Sequence, residues 1–116
     1  DRAHFFATAA MVIRRVLVDD ARKAKSLKRG GEARHVSVTP DGFGREDLGF
    51  ELLDLDDALK RLSDLNSRQA KLVELRFFGG LTQDEAAELL GVSRRTVAGD
   101  WVMAKAWLFR ELDPSN

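Results

Sequence analysis

No cysteine occurs anywhere in the chain. Its absence excludes a disulfide framework, a thiolate zinc site and a cysteine nucleophile, and it suits a reducing compartment. Histidine is almost as scarce. His4 and His35 are the only two, and they lie far apart with no acidic partners at metal-ligand spacing, so no metal site is expected. No apolar run approaches the ~20 residues needed to cross a bilayer, and the opening residues lack the arrangement of a secretory signal. The expectation is a soluble cytoplasmic protein with no membrane partner. The glycine pairs at 30–31 and 79–80 have no lysine-serine motif after them, which argues against a phosphate-cradling loop. The acidic groups Asp54, Asp56, Asp57 and Asp84, Glu85, Glu88 fall at expected helix starts, where the helix dipole accounts for them without catalysis. Neither an enzyme nor a cofactor is expected.

Net charge is lacking too: 19 Lys and Arg balance 19 Asp and Glu. A neutral total counts against nucleic-acid binding, but the way the charge is distributed removes that objection. Residues 1–50 carry ten basic against seven acidic residues and 51–116 carry nine against twelve, so the halves stand at +3 and −3. What the chain does have is 44% apolar residues over 116 positions, enough to build one ordinary domain core.

The apolar residues follow helical periods, and the expected fold class is all-α. Phe5, Phe6, Ala9, Val12, Ile13, Val16 and Leu17 recur at spacings of three and four, which predicts a long amphipathic helix from Arg2 to about Leu27. Its basic tail, Arg22, Lys23, Lys25, Lys28 and Arg29, suits both a helix C-terminus and a phosphate-contacting surface. Residues 30–50 are rich in glycine, with a Thr-Pro-Asp-Gly turn and a short alternation at 35–38 that can be extended; they read as a flexible linker.

Helical pattern resumes at Asp54, a candidate cap, with Leu55, Ala58, Leu59, Leu62 and Leu65 on one face. After Asn66-Ser67, either of which can cap, a further helix carries Ala70, Val73 and Phe77 with Leu72, Leu75 and Phe78 beside them. Thr82 followed by Glu85 forms a capping-box pattern, and that helix stops at Gly91. Ser93 then caps a last helix whose stripe is Val97, Trp101, Ala104, Leu108 and Leu112. Met103 and Trp107 lie off it, either covering the preceding helices or forming an exposed patch. Two short-looped helices with a glycine turn and arginines at the start of the second make a helix-turn-helix.

That geometry assigns candidate DNA contacts. Thr82 and Gln83 can donate to phosphate, and Ser93 begins the second helix. Arg94, Arg95 and Thr96 lie in the first turn of that helix, toward base edges, while Gly99 and Asp100 occupy its next exposed turn and Lys105 lies farther on toward phosphate. Asp100 could accept from a cytosine amino group or pair with Arg94 or Arg95 on the helix surface; pairing is favoured.

The run Leu-Arg-Phe-Phe-Gly-Gly-Leu-Thr-Gln-Asp-Glu-Ala-Ala-Glu-Leu-Leu-Gly-Val-Ser-Arg-Arg-Thr-Val at 75–97 resembles the fourth domain of bacterial extracytoplasmic-function sigma factors, the promoter-specificity subunits of RNA polymerase. His-Phe-Phe-Ala-Thr-Ala-Ala at 4–10, Arg-Arg-Val-Leu-Val-Asp-Asp-Ala-Arg at 14–22 and Lys-Arg-Gly-Gly at 28–31 resemble the last helix of that family's second domain and the start of its linker. The resemblance implies a chain truncated at its amino terminus. Residues 1–29 would be a remnant of domain two, 30–53 the linker, and 54–116 a complete domain four of four helices. It also implies promoter DNA and core RNA polymerase as partners, with an anti-sigma factor as a further one. The −35 element would lie against the helix-turn-helix. The −10 element would lie against Arg14, Arg15, Asp19 and Arg22, and the polymerase β flap against a surface including Leu72, Leu75, Phe77 and Phe78. After Thr96-Val97 this chain has Ala98, Gly99, Asp100 and Trp101 where many relatives have small or basic residues, so their sequence preference does not carry over. Two rivals share the pattern: a response-regulator output domain acting as a dimer, and a protein-interaction module bound by an anti-sigma factor.

Overall fold

The computed structural model describes residues 2–27, 35–37 and 47–113. Five helices account for most of them: α1 (Arg2–Leu27), α2 (Leu52–Leu65), α3 (Ser67–Phe77), α4 (Gln83–Leu90) and α5 (Arg94–Leu112). The fold is all-α apart from one small antiparallel ribbon, β1 (His35–Ser37) with β2 (Asp47–Glu51), in which Val36 lies opposite Phe50. The ribbon falls inside the stretch expected to be a flexible linker. β1 coincides with the alternation at 35–38; residues 30–34 and 38–46 of that stretch, with Lys28 and Arg29 of the basic tail, lie outside the described residues.

β2 runs directly into α2, which moves the start of that helix. It begins at Leu52, not at Asp54, with Glu51 at the cap position making no side-chain cap bond and Asp54 in the first turn. Leu52 is buried, so the core starts there. The other caps are those the residue types favour. Asn66 accepts from the Gln69 N–H at 3.0 Å and breaks α2 from α3.

α3 is the centre of the molecule, packed against α1, α2, α4 and α5. Its Leu72, Val73 and Leu75 are fully enclosed with Leu55, Leu59 and Leu62 of α2 and Val97, Trp101, Ala104 and Leu108 of α5. Trp107 packs at the edge of this core, whereas Met103 is 62% exposed. Leu65, at the last turn of α2, also projects beyond the core and is exposed.

α1 docks with the face opposite to most of its large apolar residues. Ala10, Val18 and Ala21 are buried, with Phe6 and Ala7 at the edge of the core, while Phe5, Val12, Ile13, Val16 and Leu17 face outward. Small side chains let two helix backbones approach closely, and Ala10 lies against Gly79 at the turn after α3. The same face carries Arg14, whose guanidinium reaches Asp56 on α2 and Glu74 on α3. Helical period predicts that α1 is two-faced; the acidic partners on α2 and α3 decide which face turns inward.

Candidate nucleic-acid interface

The helix-turn-helix is set by three local devices. At the start of α4, the Glu85 N–H donates to Thr82 Oγ1 (3.1 Å) and the Thr82 N–H donates to Glu85 Oε1 (2.9 Å), a reciprocal capping box. At its end Gly91 takes a left-handed conformation, φ 70°, and the Val92 N–H reaches back to the Ala87 carbonyl at 3.1 Å. Ser93 then caps α5: its Oγ accepts from the Thr96 N–H at 3.1 Å and donates to Thr96 Oγ1 at 3.0 Å.

The capping box makes stability pH-dependent. The hydrogen bond from the Thr82 backbone, then that with its side chain, holds the Glu85 carboxyl below its ordinary value of 4.5. A depressed carboxyl contributes stability above that ordinary value and loses it as pH falls through the lower folded one. Denaturation midpoints of the wild type and Glu85→Gln should therefore differ most above pH 4.5 and converge as the solution is made more acidic. A gap of constant size down to pH 2 would mean that the carboxylate contributes nothing as a charge.

The starts of α4 and α5 lie side by side, bridged by Arg94 Nε and Asp84 Oδ1 at 3.4 Å. Both side chains are well exposed, so this pair is weak. Arg95 is exposed and has no ion pair among the described residues. Thr82, Ser93 and Gly99 are exposed, and Gln83 and Thr96 are half-buried. A Cβ built at Gly99 would meet nothing within 4 Å, so this turn of α5 is open. Val102, not singled out by sequence, continues the open face and is 63% exposed.

Three expected contacts sit elsewhere. Asp100 is buried and bonds not to Arg94 or Arg95 but to Arg68 of α3, with Oδ2 accepting from Nε at 2.6 Å and Oδ1 from Nη2 at 3.2 Å. The carboxylate pushes the Arg68 guanidinium above its ordinary value, first through the hydrogen bond and then through charge. Lys105 is half-buried and lies over the Trp101 ring, its Nζ 5.5 Å from the centroid. Arg14 donates from Nε to Asp56 Oδ1 at 2.7 Å, from Nη1 to Glu74 Oε1 at 3.0 Å and from Nη2 to the Asp56 carbonyl at 3.2 Å. All three donor nitrogens are engaged within the fold, and the side chain is only 19% exposed. Arg15, Asp19 and Arg22 remain exposed along the cleft beside it, Arg22 within 3.9 Å of Asp19.

The apolar quartet expected at the surface is mostly core. Leu72 and Leu75 are fully enclosed and Phe78 is 7% exposed, because α1, α2 and α5 converge on α3; Phe77 alone is half-buried. Glu74, Arg68 and Arg76 were not singled out from the sequence, and Asp56, assigned there to the helix dipole, is instead a buried partner of Arg14. Three of these carry a signal in hindsight: Asp56 follows Leu55 in the apolar face of α2, and Glu74 and Arg76 interrupt the run from Leu72 to Phe78. A charge inside an apolar stripe must find a partner.

Among the described residues, no group of three or more His, Cys, Asp or Glu could hold a metal ion. No helix among them is long and apolar enough to cross a membrane. A capped, glycine-turned helix pair with an exposed arginine-led first turn defines the class: a helix-turn-helix protein of the DNA-binding type. The family model for ECF sigma factors matches residues 1–114, and the chain belongs to that family. Its role is accordingly in transcription, as a sigma factor. None of the curated proteins and none of the solved structures compared with it matches.

Proposed function

We propose that this chain reads the −35 promoter element with the first turns of α5 and recruits core RNA polymerase without doing chemistry itself. The observation that carries the reading is the exposed pair Arg94 and Arg95, with half-buried Thr96 beside them, presented by the Ser93 cap next to an open turn at Gly99. Arg95, without an ion pair among the described residues, supplies a guanidinium fork suited to a guanine edge, Arg94 exchanges its weak tie to Asp84 for phosphate, and Thr96 offers its hydroxyl. Thr82 and Gln83 add phosphate contacts from the start of α4. Asp100 takes no part in base contact, and Lys105 contributes only as far as its hold on Trp101 allows.

The same reading narrows the remaining contacts. Of the apolar quartet tied to the β flap, Phe77 is the residue with a face toward solvent. Of the four tied to the −10 element, Arg15, Asp19 and Arg22 are accessible. Residues 54–116 act as domain four and 1–29 as part of domain two, with residues 30–53 connecting them; an anti-sigma factor is the regulatory partner expected.

The test is equilibrium binding of the full chain, alone and added to core polymerase, to a duplex selected from a randomised pool. Arg95→Ala is expected to lose about 1–2 kcal/mol of affinity for the selected duplex and to relax preference at one position, while Arg94→Ala weakens all duplexes alike and lowers the salt dependence. Unchanged affinity in both variants would sink the assignment of α5 as the reading helix. One chain per duplex is expected; two half-sites would favour a dimeric regulator instead.

A further inference from the structure

The recognition helix is held to α3 at two adjacent residues by arginines from the two ends of that helix. Arg68, in the first turn of α3, takes Asp100 in a two-pronged pair at 2.6 and 3.2 Å. Arg76, in its last turn, lays its guanidinium over the Trp101 ring, 4.3 Å from the centroid, and donates from Nε to the Leu81 carbonyl at 3.3 Å. The arginines are eight residues apart on α3, a span of about 12 Å, while Asp100 and Trp101 project ~100° apart around α5. One grip alone leaves α5 free to roll about it. Two grips, in different directions and at opposite ends of the neighbouring helix, stop both the roll of α5 and its slide along α3. Arg95 and Gly99 precede Asp100 on the same rigid helix, so their angle to a duplex is set there.

We infer that the Arg68–Asp100 pair is a positioning device that sets the orientation of the recognition helix and thereby the base discrimination of the protein. The inference rests on the promoter-reading function proposed above. Apolar burial of Val97, Trp101, Ala104 and Leu108 already holds α5 to the core, and packing of that kind is not directional. The two-pronged pair is directional, since a planar guanidinium meets a carboxylate in one plane. Its loss should leave the fold standing and blur the angle.

The experiment compares Asp100→Asn, Arg68→Gln and the double variant in selection from a duplex pool randomised over about twelve base pairs. Affinity for the wild-type consensus and for a scrambled duplex is then measured. The two single changes alter net charge in opposite directions, so affinity for the scrambled duplex should move apart. The ratio of consensus to scrambled affinity should nevertheless fall in both by about tenfold, spread over several positions, and the double variant should be no worse than either. Should Asp100→Asn fail to fold, the exposed side chain of Arg68→Gln carries the comparison.

A change of preference at one base pair in Asp100→Asn, with Arg68→Gln unaltered, would make Asp100 a base-reading residue and overturn the inference. So would a lowered melting temperature with the ratio intact well below the transition, which is the mark of a merely structural pair. If the wild type discriminates no duplex, alone or with core polymerase, the promoter-reading function itself fails and this inference with it. If the wild type discriminates and the variants match it, only the inference fails.

Discussion

Arg14→Ala is expected to lower the stability of the chain by about 2–4 kcal/mol, measured as the shift of the urea midpoint at constant slope. The cost comes from what is left behind. Asp56 and Glu74 have carboxylates only 7% and 9% exposed, and the guanidinium serves both together with the Asp56 carbonyl. Without it two acids remain in a poorly hydrated place. Each keeps one lysine, Lys60 at 3.3 Å from Asp56 and Lys71 at 3.0 Å from Glu74, and this holds the expected loss below that of a fully orphaned buried charge. Arg14→Lys should recover only part of it, because an ammonium cannot span three acceptors in one plane. Being largely enclosed, the cluster should respond little to added salt, whereas the exposed Arg94–Asp84 contact should be screened. A midpoint equal to that of the wild type would mean that α1 does not sit on α2 and α3 in solution.

This cluster also marks where local reading of the chain stops. The stripe of α5 was legible because Val97, Trp101, Ala104 and Leu108 keep one helical period and one face buries. The caps at Asn66, Thr82 and Ser93 and the stop at Gly91 were legible because each depends on residues within three or four positions. The docked face of α1 was not. Its large apolar residues advertise one side, and the side chosen depends on carboxylates 42 and 60 residues away from Arg14. Asp100 failed in the same way: a helical window offers Arg94 and Arg95, and the true partner is 32 residues distant. The late start assigned to α2 has another cause, since β2 feeds the helix from an ordered strand and no side-chain cap is needed. Leu72, Leu75 and Phe78 show the remaining limit. Resemblance assigns residues to a surface, and it does not say how much of that surface this chain covers with its own α1.

Gly79→Ala should destabilise the protein by roughly 2–3 kcal/mol, more than Gly80→Ala next to it, with both read from denaturant midpoints. The two glycines are constrained in different ways. Gly80 has φ 72° and open space around it, so a methyl group there meets only the left-handed backbone penalty, roughly 1 kcal/mol. Gly79 has no such conformation to strain, but its Cβ would lie 2.6 Å from the Leu75 carbonyl oxygen and 3.2 Å from both Ala10 Cβ and Leu81 Cδ1. The nearest of these is a backbone atom inside α3, and it already accepts from the Leu81 N–H at 3.2 Å, so relief requires moving the turn that leads into α4. The second is α1 itself. Ala10→Gly in the Gly79→Ala background should therefore restore part of the loss, by vacating that side of the contact. Arg14 tests the seating of α1 by charge and Gly79 tests it by space. An arrangement with α1 detached would make Arg14→Ala nearly silent and leave Ala10→Gly without a rescuing effect, whatever Gly79→Ala costs through Leu75.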